Sequence, residues 1–480
     1  MQPEHNVTVE EAVQVLAMVG DLSMGQPTDQ SIRSAHLAER LALLDGADGG
    51  ACAHVRLVTL LRWSGCTANA SGFSTLLGDD VGGRDAMLTQ TLPPQNRLSF
   101  TSVAPLARIH CEVSGAIAQA MGLPPEVETG LRRVWEHYDG GGMPERVSDP
   151  DIPRLVYYTN LGSDLEILSR AHGLAEGLRM IAARADRKYP AELAHLLAAQ
   201  AEGWLQDIEA SPCAAVLPVL AYYVPLTIVA DMIELKLPWL LGYSRRVAAL
   251  AERAAVLAGL SALQQRCLGR AALIHGIGRA AVPNAVWQRA GKLGSADWER
   301  IRLVPYWTAR AGAQVPSLRA EATLASHVYE RLDGSGYHRD LDAGTLNLPQ
   351  RILGAAAAYA ALCMPRPWRA ASTAREAARL LTDDAAAGRF DAQAVKLVVA
   401  AADGTDVEAV APTAQRRKLL TEREAAVLRR ISLGESNKEV ARELQISPST
   451  VRTHVESIFR KLACSTRTAA TLKGLTLGLI

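Results

Sequence analysis

The chain has 480 residues, 51 Lys and Arg against 50 Asp and Glu, and is too long for one ordinary domain; about three domains are expected. Its near-neutral total hides a split. From Pro412 to the end there are 13 basic and 6 acidic residues, whereas the preceding part holds 38 and 44. A tail of net +7 on a body of net −6 points to an anionic partner for the tail and argues against a body that lies along nucleic acid.

The opening, MQPEHNVTVEEAVQ, has neither the basic nor the apolar region of a secretion signal. The seven cysteines, Cys52, Cys66, Cys111, Cys213, Cys267, Cys363 and Cys464, show no CxxC and no metal-ligand spacing, so reduced thiols in a cytoplasmic protein are expected. Alanine and leucine dominate the body, and apolar residues recur at helical spacing, as in Ala255 to Ile274. The body therefore reads as helices separated by Gly/Pro loops at 92–96, 139–144, 333–337 and 364–367. The uncharged run from Ser211 to Ala230 approaches membrane-spanning length. It contains Pro212, Pro218 and Pro225, which favour a buried helix preceded by a turn.

A weak internal repeat is visible. WEHYDGGGMPERVSDPDIPRLV (135–156) parallels VYERLDGSGYHRDLDAGTLNLPQRIL (328–353), and a short apolar stretch ending in glycine precedes each. Two diverged copies of one helical unit, joined near 205–215, account for this. The polar stretch from Ala401 to Lys418 reads as a linker.

DGSGY, followed by HRDL and LPQRIL, resembles the loop of HD-GYP phosphohydrolases, a helical metal-dependent family associated with hydrolysis of cyclic di-GMP. The resemblance covers roughly Leu235 to Leu381, and residues 10–200 look like a more distant copy. It implies metal ligands at positions that here hold Tyr243, His275, Gly276, Val304, Val328, Tyr329 and Ala357. In the first copy they hold Arg62, Trp63, Val134, Trp135 and Asn160, with His110 retained. His327 lies one residue before the expected pair, and helical geometry would turn it about 100° away. Phosphodiester hydrolysis needs metal ions held by several convergent imidazoles and carboxylates, so both copies are expected to be inactive, with no metal and no cofactor. His275, Arg279, Asp333, His338 and Arg339 are the residues that could line an anion or ligand pocket, with a nucleotide effector as the candidate. Alternatively, Asp333 and the glycines simply form a tight turn.

The last stretch, Leu419 to Ile480, reads as four short helices. Thr421 caps the first, Gly434 ends it, Asn437 begins the second, and Ser447-Pro448 opens the third after a tight QIS turn. TERE, G-x-S-N-K-E-x-A, L-x-I-S-x-x-T-V-R-x-H and IFRKL together resemble the LuxR-type DNA-binding domain over its whole length. This implies that the third helix enters the major groove. Arg452, Thr453 and Glu456 share one face and are the base-edge candidates; Lys438, Ser449, Thr450 and Lys461 are the phosphate candidates. Val451, Val455, Ile458 and Leu462 are core. The fourth helix, with Leu472, Leu475, Leu477 and Leu479, suits either packing within the domain or a dimer contact.

The expected fold is all-α. Residues 1–205 and 206–400 form two tandem HD-domain-like units, 401–418 a linker, and 419–480 a four-helix LuxR-type helix-turn-helix domain. The expected partners are double-stranded DNA and a second copy of the chain in a homodimer, with no membrane. The rival expectation is a metal-dependent cyclic-dinucleotide phosphodiesterase fused to a DNA-binding domain.

Overall fold

The computed structural model describes residues 5–96, 98–211, 222–403 and 419–480. Their regular structure is almost entirely helical, and the strands among them are two three-residue segments, Asn6–Thr8 and Tyr223–Pro225. Among the described residues no helix is long and apolar enough to cross a membrane. Of the uncharged run from Ser211 to Ala230, residues 212–221 lie outside the described set; beyond them, the helix Thr227–Glu234 is buried throughout.

The chain divides into two compact units. One is Thr8–Val224; the other joins the residues up to Val7 to Pro225–Ile480. The division falls later than the expected boundary at 205–206 because Leu193, Leu197, Ala201 and Ile208 of the helix Ala191–Ala210 belong to the core of the first unit. Within the second unit, the N-terminal residues are held by groups far along the sequence. Arg270 Nη1 donates to the Asn6 carbonyl at 2.9 Å, His5 Nε2 lies 2.7 Å from Glu252 Oε1, and Leu226 N–H donates to the His5 carbonyl at 3.0 Å. The helix Ala392–Asp403 takes up the first residues of the expected linker, and 404–418 lie outside the described residues.

Helix starts follow local chemistry. Thr8, Ser261, Asn347, Thr373, Thr421 and Ser436 each form a capping box with a Glu or Gln three residues on. The first unit buries Leu37, Leu41, Val156, Leu161 and Leu165 from the helices Gln30–Leu44 and Arg154–His172.

The internal repeat is visible as repeated geometry inside the two units. A Cβ on Gly65 would meet the His110 carbonyl oxygen at 2.3 Å, and one on Gly278 would meet the Val304 carbonyl oxygen at 2.0 Å. Glycine at these two positions lets one helical turn press against the backbone of another. The loops after Asp139 and Asp333 are also built alike. Glu136, fully buried, accepts the N–H groups of Glu145 and Val147 at 2.8 and 3.1 Å; Glu330, 4% exposed, accepts those of Arg339 and Leu341 at 2.9 and 3.0 Å. These two glutamates, unmarked in the motif reading, pin each loop.

Candidate functional site

In the C-terminal domain the four helices are Glu422–Ser432, Asn437–Glu443, Pro448–Leu462 and Arg467–Thr476. Val427, Leu428, Ile431, Val440, Val451, Val455, Ile458, Leu462 and Ala470 form its core. Gln445, at φ 53°, makes the sharp turn between the second and third helices. Ser447 caps the third helix by accepting the Thr450 N–H at 3.0 Å, and Pro448 occupies its first turn.

With one face of the third helix packed, the opposite face carries Arg452, Thr453 and Glu456, all exposed. Arg452 Nε donates to Glu456 Oε1 at 2.9 Å, a pair one helical turn apart and open to solvent. Such an exposed pair adds little stability, so its side chains can exchange partners at low cost. Thr453 Oγ1 donates back to the Ser449 carbonyl at 3.2 Å. Ser449 and Thr450 cluster with the Ser447 hydroxyl at the helix N-terminus, 2.6 and 2.8 Å from it. That end carries partial positive charge and suits a phosphate. Lys438 is exposed at the start of the second helix.

Lys461 is placed differently from the other phosphate candidates. Its Nζ lies 2.7 Å from Glu424 Oε2. Glu424 is a hub: it also accepts the Thr421 N–H at 2.7 Å and the Ser457 hydroxyl at 2.7 Å, tying the first helix to the third. Burial alone would raise its carboxyl pKa, but the hydrogen bonds from Lys461, Thr421 and Ser457 outweigh it and hold it at about 2. The TERE motif marks a cap; the reach of Glu424 across the domain is not local information. Lys473 donates to the carbonyls of Leu462 and Ala463, both at 2.9 Å, and so satisfies the C-terminus of the third helix. On the fourth helix, Leu472 is buried; beyond its end at Thr476, Leu477 is 40% exposed and Leu479 packs against the domain core.

In the second unit, the positions singled out by the HD-GYP resemblance meet. Tyr243 donates its hydroxyl to the Ala357 carbonyl at 2.9 Å, and its ring lies 5.4 Å from that of His275. His275 is fully buried: Nδ1 pairs with the Ala272 carbonyl at 2.5 Å, and Nε2 lies 3.2 Å from Arg279 Nη2. The donor geometry requires Nε2 to be the acceptor, hence a neutral imidazole. Burial, then the charge of Arg279, push its pKa down to about 3. Arg279 also donates to the Tyr329 hydroxyl at 2.7 Å and lies over the Tyr243 ring at 5.0 Å. Its Nη1 comes within 2.9 Å of where a Cβ on Gly276 would stand. The missing side chain at Gly276 makes room for the guanidinium. Arg366 also lies over the rings of Trp239 and Tyr243, at 4.8 and 5.4 Å.

The first unit is filled by other means. Arg62 is fully buried and donates to the Thr59 carbonyl at 2.5 Å and to Gln30 and Ser31. His110 stacks obliquely on Trp135 at 5.3 Å, with Nδ1 3.5 Å from Cys66 Sγ. Asn160 donates to the Val134 carbonyl at 3.2 Å. Among the described residues, no three His, Cys, Asp or Glu side chains are grouped so as to hold a metal ion.

Of the proposed pocket residues in the second unit, the structure brings His275 and Arg279 together and places the others on the neighbouring loop. Asp333 Oδ1 accepts the N–H and hydroxyl of Ser335 at 3.0 and 2.6 Å, as in an Asx turn. Arg339 Nη1 donates to Ser326 Oγ at 2.9 Å, and His338 packs its ring 6.2 Å from Tyr306. His327 lies in a turn beyond the helix Arg319–Ala325, not on the helix, and its Nδ1 pairs with the Thr323 carbonyl at 2.7 Å.

Comparison with known proteins matches residues 227–394 to the HD domain and residues 418–473 to the luxR family of bacterial regulatory proteins. The chain is 26% identical over 293 residues to 3'3'-cGAMP-specific phosphodiesterase 3 of Vibrio cholerae, covering 58% of this chain and 64% of that protein. A 52-residue stretch is 48% identical to the probable csgAB operon transcriptional regulatory protein of Salmonella typhimurium, covering 11% of this chain and 24% of that protein. The chain thus spans less than two thirds of the length of these curated relatives. A crystal structure of a cyclic GMP-AMP specific phosphodiesterase of V. cholerae superposes with a TM-score of 0.60 at 21% identity, covering 83% of this chain and 98% of that one. At that identity the likeness speaks for the fold.

Proposed function

Because the chain carries an HD domain and a C-terminal helix-turn-helix domain of the LuxR family, we propose that it is a DNA-binding transcription regulator whose helical body senses or dimerises without hydrolysing a phosphodiester. The observation that carries the first half is the exposed face of Arg452, Thr453 and Glu456 on a packed and capped third helix, with Lys438, Ser449 and Thr450 at its flank. Arg pairs with guanine through two hydrogen bonds and Glu accepts from cytosine, while the flanking groups fix register on phosphate. A second copy of the chain would pair two such helices on half-sites about one helical turn apart. Control would act through the spacing of that pair.

The second half rests on Arg279. The HD family implies divalent metal ions, and the residues present do not fit them. The one retained imidazole of the second unit, His275, points its Nε2 at a guanidinium, and the neighbouring positions supply Gly276, Tyr329 and Ala357. A fixed cation held by the Tyr243 ring and the Tyr329 hydroxyl stands beside His275, and it cannot generate hydroxide from water.

The rival reading, a cyclic-dinucleotide phosphodiesterase fused to a DNA-binding domain, is favoured by the names of the relatives. The two separate cleanly. Purified protein incubated with manganese or iron, then analysed for bound metal and for cleavage of cyclic dinucleotides, should show neither stoichiometric metal nor product. Both together would establish the rival.

A further inference from the structure

The first unit contains a pocket that adjoins the positions Trp63 and Trp135 of the degenerate first copy and plays no part in DNA binding. Its volume is about 440 Å³, within the range of small-molecule sites. Met87 and Leu88 form an apolar wall, and they pack against the buried cluster of Trp63, Cys66 and Ile167. The loop from Arg184 to Lys188 adds three cationic side chains to the lining, Arg184, Arg187 and Lys188. That loop is firmly set. Asp139 N–H donates to the Arg187 carbonyl at 3.0 Å, Tyr138 N–H to the Lys188 carbonyl at 3.3 Å, and Asp186 Oδ1 accepts the Ala191 N–H at 3.0 Å.

Counting donors and acceptors shows what is missing. Both oxygens of Asp164 are taken by Lys188 at 2.9 and 2.8 Å, and Arg184 Nη1 adds a third contact at 2.9 Å. Asp139 Oδ1 is turned to its own loop, accepting the Gly141 N–H at 2.7 Å. Arg184 Nη2 is buried with no partner, and the exposed Arg187 guanidinium makes no ion pair or hydrogen bond among the described residues. His137, whose pKa burial and then Lys188 push down to about 4, remains neutral at pH 7. The pocket therefore sets three cations, Arg184, Arg187 and Lys188, against the two carboxylates of Asp139 and Asp164, with Asp164 already fully engaged, and a buried unpaired donor is costly.

We propose that this pocket binds a phosphomonoester with a planar or apolar body, of nucleoside-monophosphate size. The phosphate would supply acceptors to Arg184 Nη2 and Arg187 in charge-assisted hydrogen bonds, and the body would lie on Met87 and Leu88. The inference goes beyond the DNA-binding reading and does not depend on it.

The test is calorimetry on the full chain with guanosine monophosphate, inorganic phosphate and uncharged guanosine. The expected order of affinity is monophosphate, then phosphate, then guanosine. Arg187→Glu should raise the monophosphate Kd about tenfold or more without moving the thermal midpoint of the ligand-free protein, since only the backbone of Arg187 holds the loop and its bonds are kept. Leu88→Trp should weaken the monophosphate and spare inorganic phosphate. No saturable binding at millimolar monophosphate, guanosine binding as well as its monophosphate, or an unchanged Kd in Arg187→Glu would overturn the proposal.

Discussion

Replacing Glu424 with Gln should loosen the DNA-binding domain while leaving the shape of its interior almost unchanged. Glu424 is 4% exposed and bonds to Lys461, Ser457 and the Thr421 backbone. Its carboxyl is held at about 2 against an ordinary 4.5, a difference worth roughly 3.5 kcal/mol at about 1.4 kcal/mol per unit. Glutamine keeps an acceptor oxygen for one or two of these donors and loses the charge that Lys461 needs, so about 2 kcal/mol is expected. That corresponds to about a 30-fold larger opening equilibrium. No Trp or Tyr lies within 419–480, so intrinsic fluorescence does not report on this domain. Amide hydrogen exchange over 422–432 and 448–462 does, and it should accelerate by about 30-fold. The sign in pH also follows. A depressed folded pKa gives stability that is present above about 4.5 and lost as pH falls through about 2, so the wild-type domain should open in that window and the Gln variant should lack the step. Exchange within twofold of wild type, or the same acid step in the variant, would refute the assignment of Glu424 as the tie between the first and third helices.

Three further outcomes are expected. Arg452→Ala should cost about 1 to 3 kcal/mol at one base position, while Lys438→Ala should weaken all sequences alike and lower the salt slope by about one; gel shifts on a selected site and its single-base variants over a salt series separate the two. Gly278→Ala should unfold or severely destabilise the second unit, because its Cβ would stand 2.0 Å from the Val304 carbonyl oxygen, whereas Gly291→Ala, with nothing within 4 Å, should be silent; tryptophan-monitored urea unfolding of each variant reads this. Burial raises the Glu234 carboxyl to about 7 despite its bonds to Ser244 and Gly242. A raised folded pKa gives stability that is full below about 4.5 and declines as pH rises through about 7, and Glu234→Gln should flatten that decline in the same unfolding assay.

The helical class and the four C-terminal helices were legible because each rests on local chemistry: capping boxes, Ser447-Pro448, the glycine that ends the first of the four. The pinning of the loops by Glu136 and Glu330 escaped notice because a buried carboxylate that serves backbone N–H groups nine and eleven residues away has no pattern of its own. The same holds for Glu424, whose partners at 457 and 461 lie one helix-turn-helix away. Arg279 shows the other limit. Its charge and position after His275 were readable, but that its guanidinium would use the space left by Gly276 and dock on Tyr243 and Tyr329 required the fold. A boundary near 205 was hard to place because Ala191–Ala210 reads as one more amphipathic helix, and only packing decides to which core its apolar stripe belongs.

The central claim is that this chain reads DNA sequence through its third C-terminal helix. Selection of bound fragments from genomic DNA by the purified full chain, repeated with Arg452→Ala, tests it most directly. The account predicts one enriched motif for the wild type and loss of preference at a defined base position for the variant. Fragments that share no motif, released uniformly by salt and recovered equally by the variant, would contradict it.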